Sequence, residues 1–258
     1  MKKPTIGILA CARMIDDDSD LHHVVFRSYV DFITDTLDAV PVVIPSLFGK
    51  EHKDRIEGIC ELVDGLFLPG SPSNVSLRRT GTEDSAFVAK ETTGQTDLPR
   101  DYTAMTLINH AVATDKPLLA VCRGIQELNV FFGGDLHKVL HQVPGRFDHR
   151  AKKSVSLYEK YTPAHTVFLT EDSLLKQLID REEMEATCVE VNSLHSQGIS
   201  VVGNNLCVEC LAPDGTVEAV RHLTSSFIYG VQWHLEWQRS LLDRYISLEF
   251  LSHCKRRI

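Results

Sequence analysis

Cys122, His234 and Glu236 are the three side-chain types of a nucleophilic triad: a thiol, an imidazole and a carboxylate. Cys122 closes the apolar run Pro117-Leu118-Leu119-Ala120-Val121 and is followed by Arg123-Gly124. Apolar residues then recur at 125, 128, 131 and 132, ahead of Gly133-Gly134. That pattern predicts a buried strand, a sharp turn and an amphipathic helix. A thiol on such an elbow sits at a helix N-terminus, where the dipole favours the nucleophilic thiolate. A lone cysteine is more often plain core, and the elbow context decides for the nucleophile. Cys11, Cys60, Cys188, Cys207, Cys210 and Cys254 lack that context and read as core or surface thiols.

His234 follows the strand-like residues 227–233, so it falls at a strand's carboxyl end, where chemistry gathers in open α/β sheets. Glu236 is two residues on. In an extended segment both side chains point the same way, and the carboxylate can hold the imidazole tautomer. Read alone, the pair is an ordinary ion pair. Cys122 gives it a task.

Acyl transfer also needs backbone N–H donors where an oxyanion forms. Leu68-Pro69-Gly70-Ser71-Pro72-Ser73 follows another strand and can supply one; the Arg123 amide, directly after the thiol, can supply the second. The polar run Asn192-Ser193-Leu194-His195-Ser196-Gln197 ends a further strand, and His195 and Gln197 are placed to recognise a polar substrate. Arg100-Asp101 near a helix start has two readings: binding a charged substrate end, or capping the helix.

The elements that must position these groups alternate. Strands are expected at 5–10, 42–44, 65–68 and 117–121, and helices at 24–37, 50–62 and 98–113. Alternation of this kind implies a parallel sheet with helices on both faces. The second half changes character. Strands are expected at 166–169, 188–191, 207–211, 217–221 and 227–233, with Pro213-Asp214-Gly215 as a hairpin turn. Helices are expected at 173–179 and 239–254, and the polar stretch 76–96 reads as a long loop or a partly mobile flap.

The chain has 258 residues, 43% hydrophobic and 24% charged, so its core can be large without a disulfide or metal staple. Net charge is -8, against nucleic-acid binding. No run approaches the roughly 18 apolar residues that span a membrane, and the lysine-led N-terminus reaches Asp16-Asp17-Asp18 too soon for a signal peptide. Seven cysteines, an odd number scattered from position 11 to 254, fit a reducing cytoplasm. The twelve histidines show no H-E-x-x-H or comparable spacing, so no metal is expected.

Val121-Cys122-Arg123-Gly124-Ile125-Gln126 and Gly230-Val231-Gln232-Trp233-His234 resemble the class I glutamine amidotransferases over nearly the whole chain. Within that superfamily, residues 68–75 and 192–198 are similar to the γ-glutamyl-γ-aminobutyrate hydrolases of putrescine breakdown. The resemblance implies a flavodoxin-like three-layer α/β/α fold over residues 1–258 as one domain. Its central sheet would be mostly parallel, with an antiparallel addition in the second half. It implies Cys122 as nucleophile, His234 as general base and acid, Glu236 as orienting group, and the Ser71 and Arg123 amides as oxyanion hole. It places Gly70, Gln126, Asn192, Ser193, His195 and Gln197 around a small γ-glutamyl substrate. No cofactor is implied, since thiolate, imidazole and oxyanion hole suffice. One departure is Leu235, where related sequences usually carry proline between the His and the Glu. Leucine leaves φ freer. A glutaminase subunit feeding ammonia to a synthetase, a transferase to an amine acceptor, and a non-catalytic binding protein remain alternatives. A homodimer is the default assembly.

Overall fold

The computed structural model describes residues 2–15, 20–79, 87–89, 94–181 and 188–258. Its main sheet has nine strands. Across the sheet they run Cys188–Val191, His165–Leu169, Leu206–Leu211, Val217–His222, Ile228–Val231, Leu118–Val121, Gly65–Leu68, Thr5–Leu9 and Val40–Ile44. The last five are mutually parallel. The first four are antiparallel to their neighbours. The fold is therefore α/β with a mostly parallel sheet and an antiparallel extension built by the second half of the chain.

The alternation of side chains along the parallel strands sorts the core into two layers. Leu66, Leu68, Leu118, Ala120 and Ile228 face the helices Lys53–Glu61, Leu98–Thr114 and Arg123–Phe131. Ile6, Ile8, Phe67, Leu119, Val121, Tyr229 and Val231 face the opposite layer, with Phe32, Leu242, Ile246 and Phe250. Gly230 lets the elbow helix lie close, since a Cβ there would stand 2.8 Å from Ile125 Cγ1.

Several expectations need correction. The helix expected from residue 24 starts at Arg27 and continues as a π-helical turn, Phe32–Thr36. Residues 21–24 instead pair with Cys11–Met14 in an antiparallel hairpin. The strand at 42–44 begins at Val40, and Pro41 is tolerated because that strand is the sheet edge. The strand expected at 227–233 is limited to Ile228–Val231. The described part of the 76–96 stretch is a short hairpin, Leu77–Arg79 with Phe87–Ala89; residues 80–86 and 90–93 lie outside the described set. Asp135–His137 and Gly198–Val201 form a two-stranded sheet that the sequence pattern does not announce.

Candidate active site

The strands Leu118–Val121 and Ile228–Val231 are parallel neighbours, with Val121 opposite Val231. Their carboxyl ends therefore lie side by side, and the Cys122 N–H donates to Val231 O at 2.8 Å. That register brings residues 122 and 234 to one end of the sheet. Cys122 is the N-cap of the helix Arg123–Phe131 and has φ 54°, ψ -100°. A non-glycine residue at that φ is strained. The strain is that of a strand-to-helix elbow, which aims the thiol out of the turn. Gly124 allows the tight approach behind it, because a Cβ there would stand 2.3 Å from Leu68 O.

His234 is buried beside Cys122. Its Nδ1 lies 2.9 Å from Glu236 Oε1, which leaves Nε2 as the nitrogen for the thiol. Burial alone would lower the imidazole pKa, but the charges of Glu236 and Cys122 outweigh it and hold His234 well above its ordinary value. Residues 235–237 are a 3₁₀ turn rather than the extended segment expected from the spacing. The turn curls the carboxylate back onto the ring. Leu235 is fully buried in the apolar layer, so packing anchors this turn where a proline ring would restrict it.

Gly70 borders both groups. A Cβ there would stand 2.8 Å from His234 Cε1 and 3.2 Å from Cys122 Cβ. Ser71 thus follows directly on the residue beside Cys122. Its hydroxyl lies 2.9 Å from Ser73 Oγ. The Arg123 amide is first in its helix and has no intrahelical acceptor. A carbonyl held over Cys122 would find the Gly70-Ser71 turn on one side and the helix N-terminus on the other.

The remaining expected residues are all buried, and each has a protein partner. Gln126 Nε2 donates to Gln197 O at 3.1 Å and Gln232 Oε1 at 3.2 Å. Asn192 bonds the backbone of His234. Ser193 Oγ donates to His149 O at 3.0 Å. His195 Nδ1 meets Gln197 O at 2.8 Å, and burial lowers its pKa to about 4. Gln197 Oε1 accepts the Val75 N–H at 2.9 Å. The loop 192–197 is thus a brace between His234 and Val75, four residues after Ser71.

Arg100 and Asp101 match neither sequence reading. Both are fully buried, and the helix cap is Asp97, whose Oδ1 accepts the Arg100 N–H at 3.0 Å. Arg100 pairs with Glu127 at 3.0 Å and with Pro69 O. Arg123 pairs with Glu127 and, at 2.6 Å, with Asp101. Asp101 Oδ2 accepts Ser76 N and Oγ at 3.1 and 2.7 Å. This buried lattice ties the turn after Pro69 to the elbow helix. Sequence reasoning also missed Tyr29, whose hydroxyl sits 3.4 Å from His234 Nδ1. The spacing Arg123 to Glu127, one helical turn, was a usable signal for the lattice. Nothing local marks Tyr29.

A family model described as peptidase C26 matches residues 4–236. The chain belongs to the peptidase C26 family. Together with a full-length likeness to a curated hydrolase, that makes it a cysteine-dependent hydrolase of the class I glutamine amidotransferase-like type. The γ-glutamyl-γ-aminobutyrate hydrolase PuuD of Escherichia coli K12 is 34% identical over 260 residues, covering 100% of this chain and 96% of that protein. A putative glutamine amidotransferase-like protein of Rickettsia prowazekii is 28% identical, covering 86% of this chain and 85% of its own length. The glutaminase domain of Trypanosoma brucei CTPS superposes with a TM-score of 0.58 at 15% identity, covering 99% of this chain and 95% of its own. That last likeness shows the C26 chain's fold alone. Among the described residues, no helix is long and apolar enough to cross a membrane.

Proposed function

We propose that the chain hydrolyses the γ-glutamyl amide bond of γ-glutamyl-γ-aminobutyrate through a thioester on Cys122. The observation that carries the reading is the meeting of Cys122, His234 and Glu236 beside Gly70, in a chain 34% identical end to end to a hydrolase of that substrate.

The Cys122 sulfur attacks the γ-carbonyl carbon, and the oxyanion is met by the Ser71 and Arg123 amides. The C–N bond breaks as His234 passes a proton to the leaving amine. A γ-glutamyl thioester remains. Water gives a proton to His234 and its oxygen to the carbonyl, the C–S bond breaks, and glutamate leaves with the thiol restored. Glu236 keeps Nδ1 occupied throughout, so only Nε2 exchanges protons. Among the expected substrate residues, Gly70 is the one beside the nucleophile; the residues of 126 and 192–197 support this geometry from behind. All seven cysteines are free thiols, which supports a reducing cytoplasm as the place of work.

The test is release of glutamate from glutamine, γ-glutamyl-γ-aminobutyrate and a γ-glutamyl peptide, by the unmodified chain and by Cys122→Ala. Preference for γ-glutamyl-γ-aminobutyrate, abolished in the variant, is the expected result. Preference for glutamine, rising on addition of a synthetase, would replace the reading with an amidotransferase subunit. Turnover that survives Cys122→Ala would remove the thioester.

A further inference from the structure

Behind the loop 192–197 lies a second cluster that the triad does not use. Glu218, on the strand Val217–His222, is fully buried, and neither carboxylate oxygen has a hydrogen-bond partner. Three histidines from separate segments converge on its Oε1: His149 Nδ1 at 3.5 Å, His165 Nε2 at 3.4 Å and His195 Nε2 at 3.6 Å. His165 Nε2 and His195 Nε2 likewise lack a hydrogen-bond partner. Buried, unpartnered polar atoms of this kind are costly.

The outer contacts decide what these nitrogens carry. His149 Nε2 lies 2.9 Å from Asp214 Oδ2, an acceptor that needs its proton. His195 Nδ1 lies 2.8 Å from the Gln197 carbonyl, and His165 Nδ1 lies 3.1 Å from the Thr166 carbonyl. Each neutral ring therefore spends its one N–H outward, and each inward nitrogen is a bare lone pair. The Ser193 hydroxyl, 3.1 Å from His149 Nδ1, donates to the His149 carbonyl. Three imidazole lone pairs and a carboxyl group then face one another, with at most the carboxyl's own hydrogen to share.

We propose that His149, His195 and Glu218 form a binding site for one divalent transition cation of the zinc class. Two imidazoles and a carboxylate are ordinary zinc ligands, and a tetrahedron with bonds of about 2.0–2.1 Å has edges of about 3.4 Å. Their ligand atoms all lie within 4.8 Å of one another, and the separations of 3.5 and 3.6 Å from Glu218 Oε1 are close to those edges. The outward hydrogen bonds of His149 to a carboxylate and of His195 to a carbonyl are the supports that metal-bound histidines carry. The cation keeps one position for water, since three protein ligands hold it. It pins the loop whose ends, Asn192 and Gln197, grip His234 and Val75.

The readout is metal content, which does not depend on what the enzyme cleaves. The intact chain is stripped with EDTA, then offered zinc chloride or cobalt(II) chloride. About one equivalent of zinc should be retained per chain through desalting, the melting temperature should rise, and cobalt should give the visible bands of a tetrahedral ion. Glu218→Gln and His195→Asn should each weaken retention at least about 10-fold, while Cys122→Ala keeps it. If a variant does not fold, the cobalt spectrum of the unmodified chain decides. No uptake of either ion overturns the site, and so does uptake that vanishes with Cys122→Ala, which would place the ion on the catalytic thiol.

Discussion

Asn192 bonds both backbone groups of His234: its Oδ1 accepts the His234 N–H at 2.9 Å, and its Nδ2 donates to the His234 carbonyl at 3.0 Å. A side-chain amide here stands in for a neighbouring strand. It fixes the peptide from which the imidazole projects. Asn192→Ala should lower kcat by about 10- to 100-fold with KM nearly unchanged, since a small misplacement of a catalytic base is expensive. Asn192→Asp keeps the acceptor and loses the donor, and should fall between. Steady-state kinetics on the three forms checks this; a KM effect with kcat intact would mean that Asn192 touches substrate.

Gly70 is required by crowding. A methyl at this position would come within 2.5 Å of the Tyr29 hydroxyl, as well as reaching His234 and Cys122. Gly70→Ala should cut kcat/KM by about 100-fold or more, the scale of losing an oxyanion donor, because the turn must shift away from Cys122. The fold should persist, as read by circular dichroism and melting temperature. Near-normal turnover would show that the Gly70-Ser71 turn lies outside the reacting geometry.

The charge of Glu236 helps hold the His234 pKa up, against the effect of burial. The imidazolium is therefore retained to higher pH than an ordinary histidine would allow. The basic limb of kcat/KM, where His234 loses its proton, should lie well above the ordinary range. Glu236→Gln removes one of the raising charges, so that limb should move to lower pH, and kcat should fall with it. A pH profile of both forms checks the sign; an unmoved limb would assign it to another group.

Glu127 sits between two buried guanidinium groups, Arg100 and Arg123. Glu127→Gln keeps the shape but leaves both cations short of charge. Breaking a buried pair of this kind costs about 3–5 kcal/mol. Denaturant unfolding should show a loss of that order. Because Arg100 also holds Pro69 O and Arg123 holds Ser73 O at 3.0 Å, the oxyanion turn should loosen and kcat should drop too. A change below about 1 kcal/mol would mean that the Asp101 contact alone carries the lattice.

The sequence alone determined what depends on neighbours along the chain. The βα alternation, the elbow at Cys122, and the His and Glu two positions apart are local patterns, because strand burial and helix periodicity repeat every few residues. Tertiary structure decided what depends on register and on contacts across long loops. The parallel pairing of Val121 with Val231 brings Cys122 and His234 together from positions 112 residues apart. The 3₁₀ turn that aims Glu236, the inward role of Arg100 and Asp101, and the convergence of three histidines on Glu218 have no local signature. Each arises because a buried polar group must find its partner wherever the fold has carried it, and in a chain this long that partner is rarely nearby in sequence.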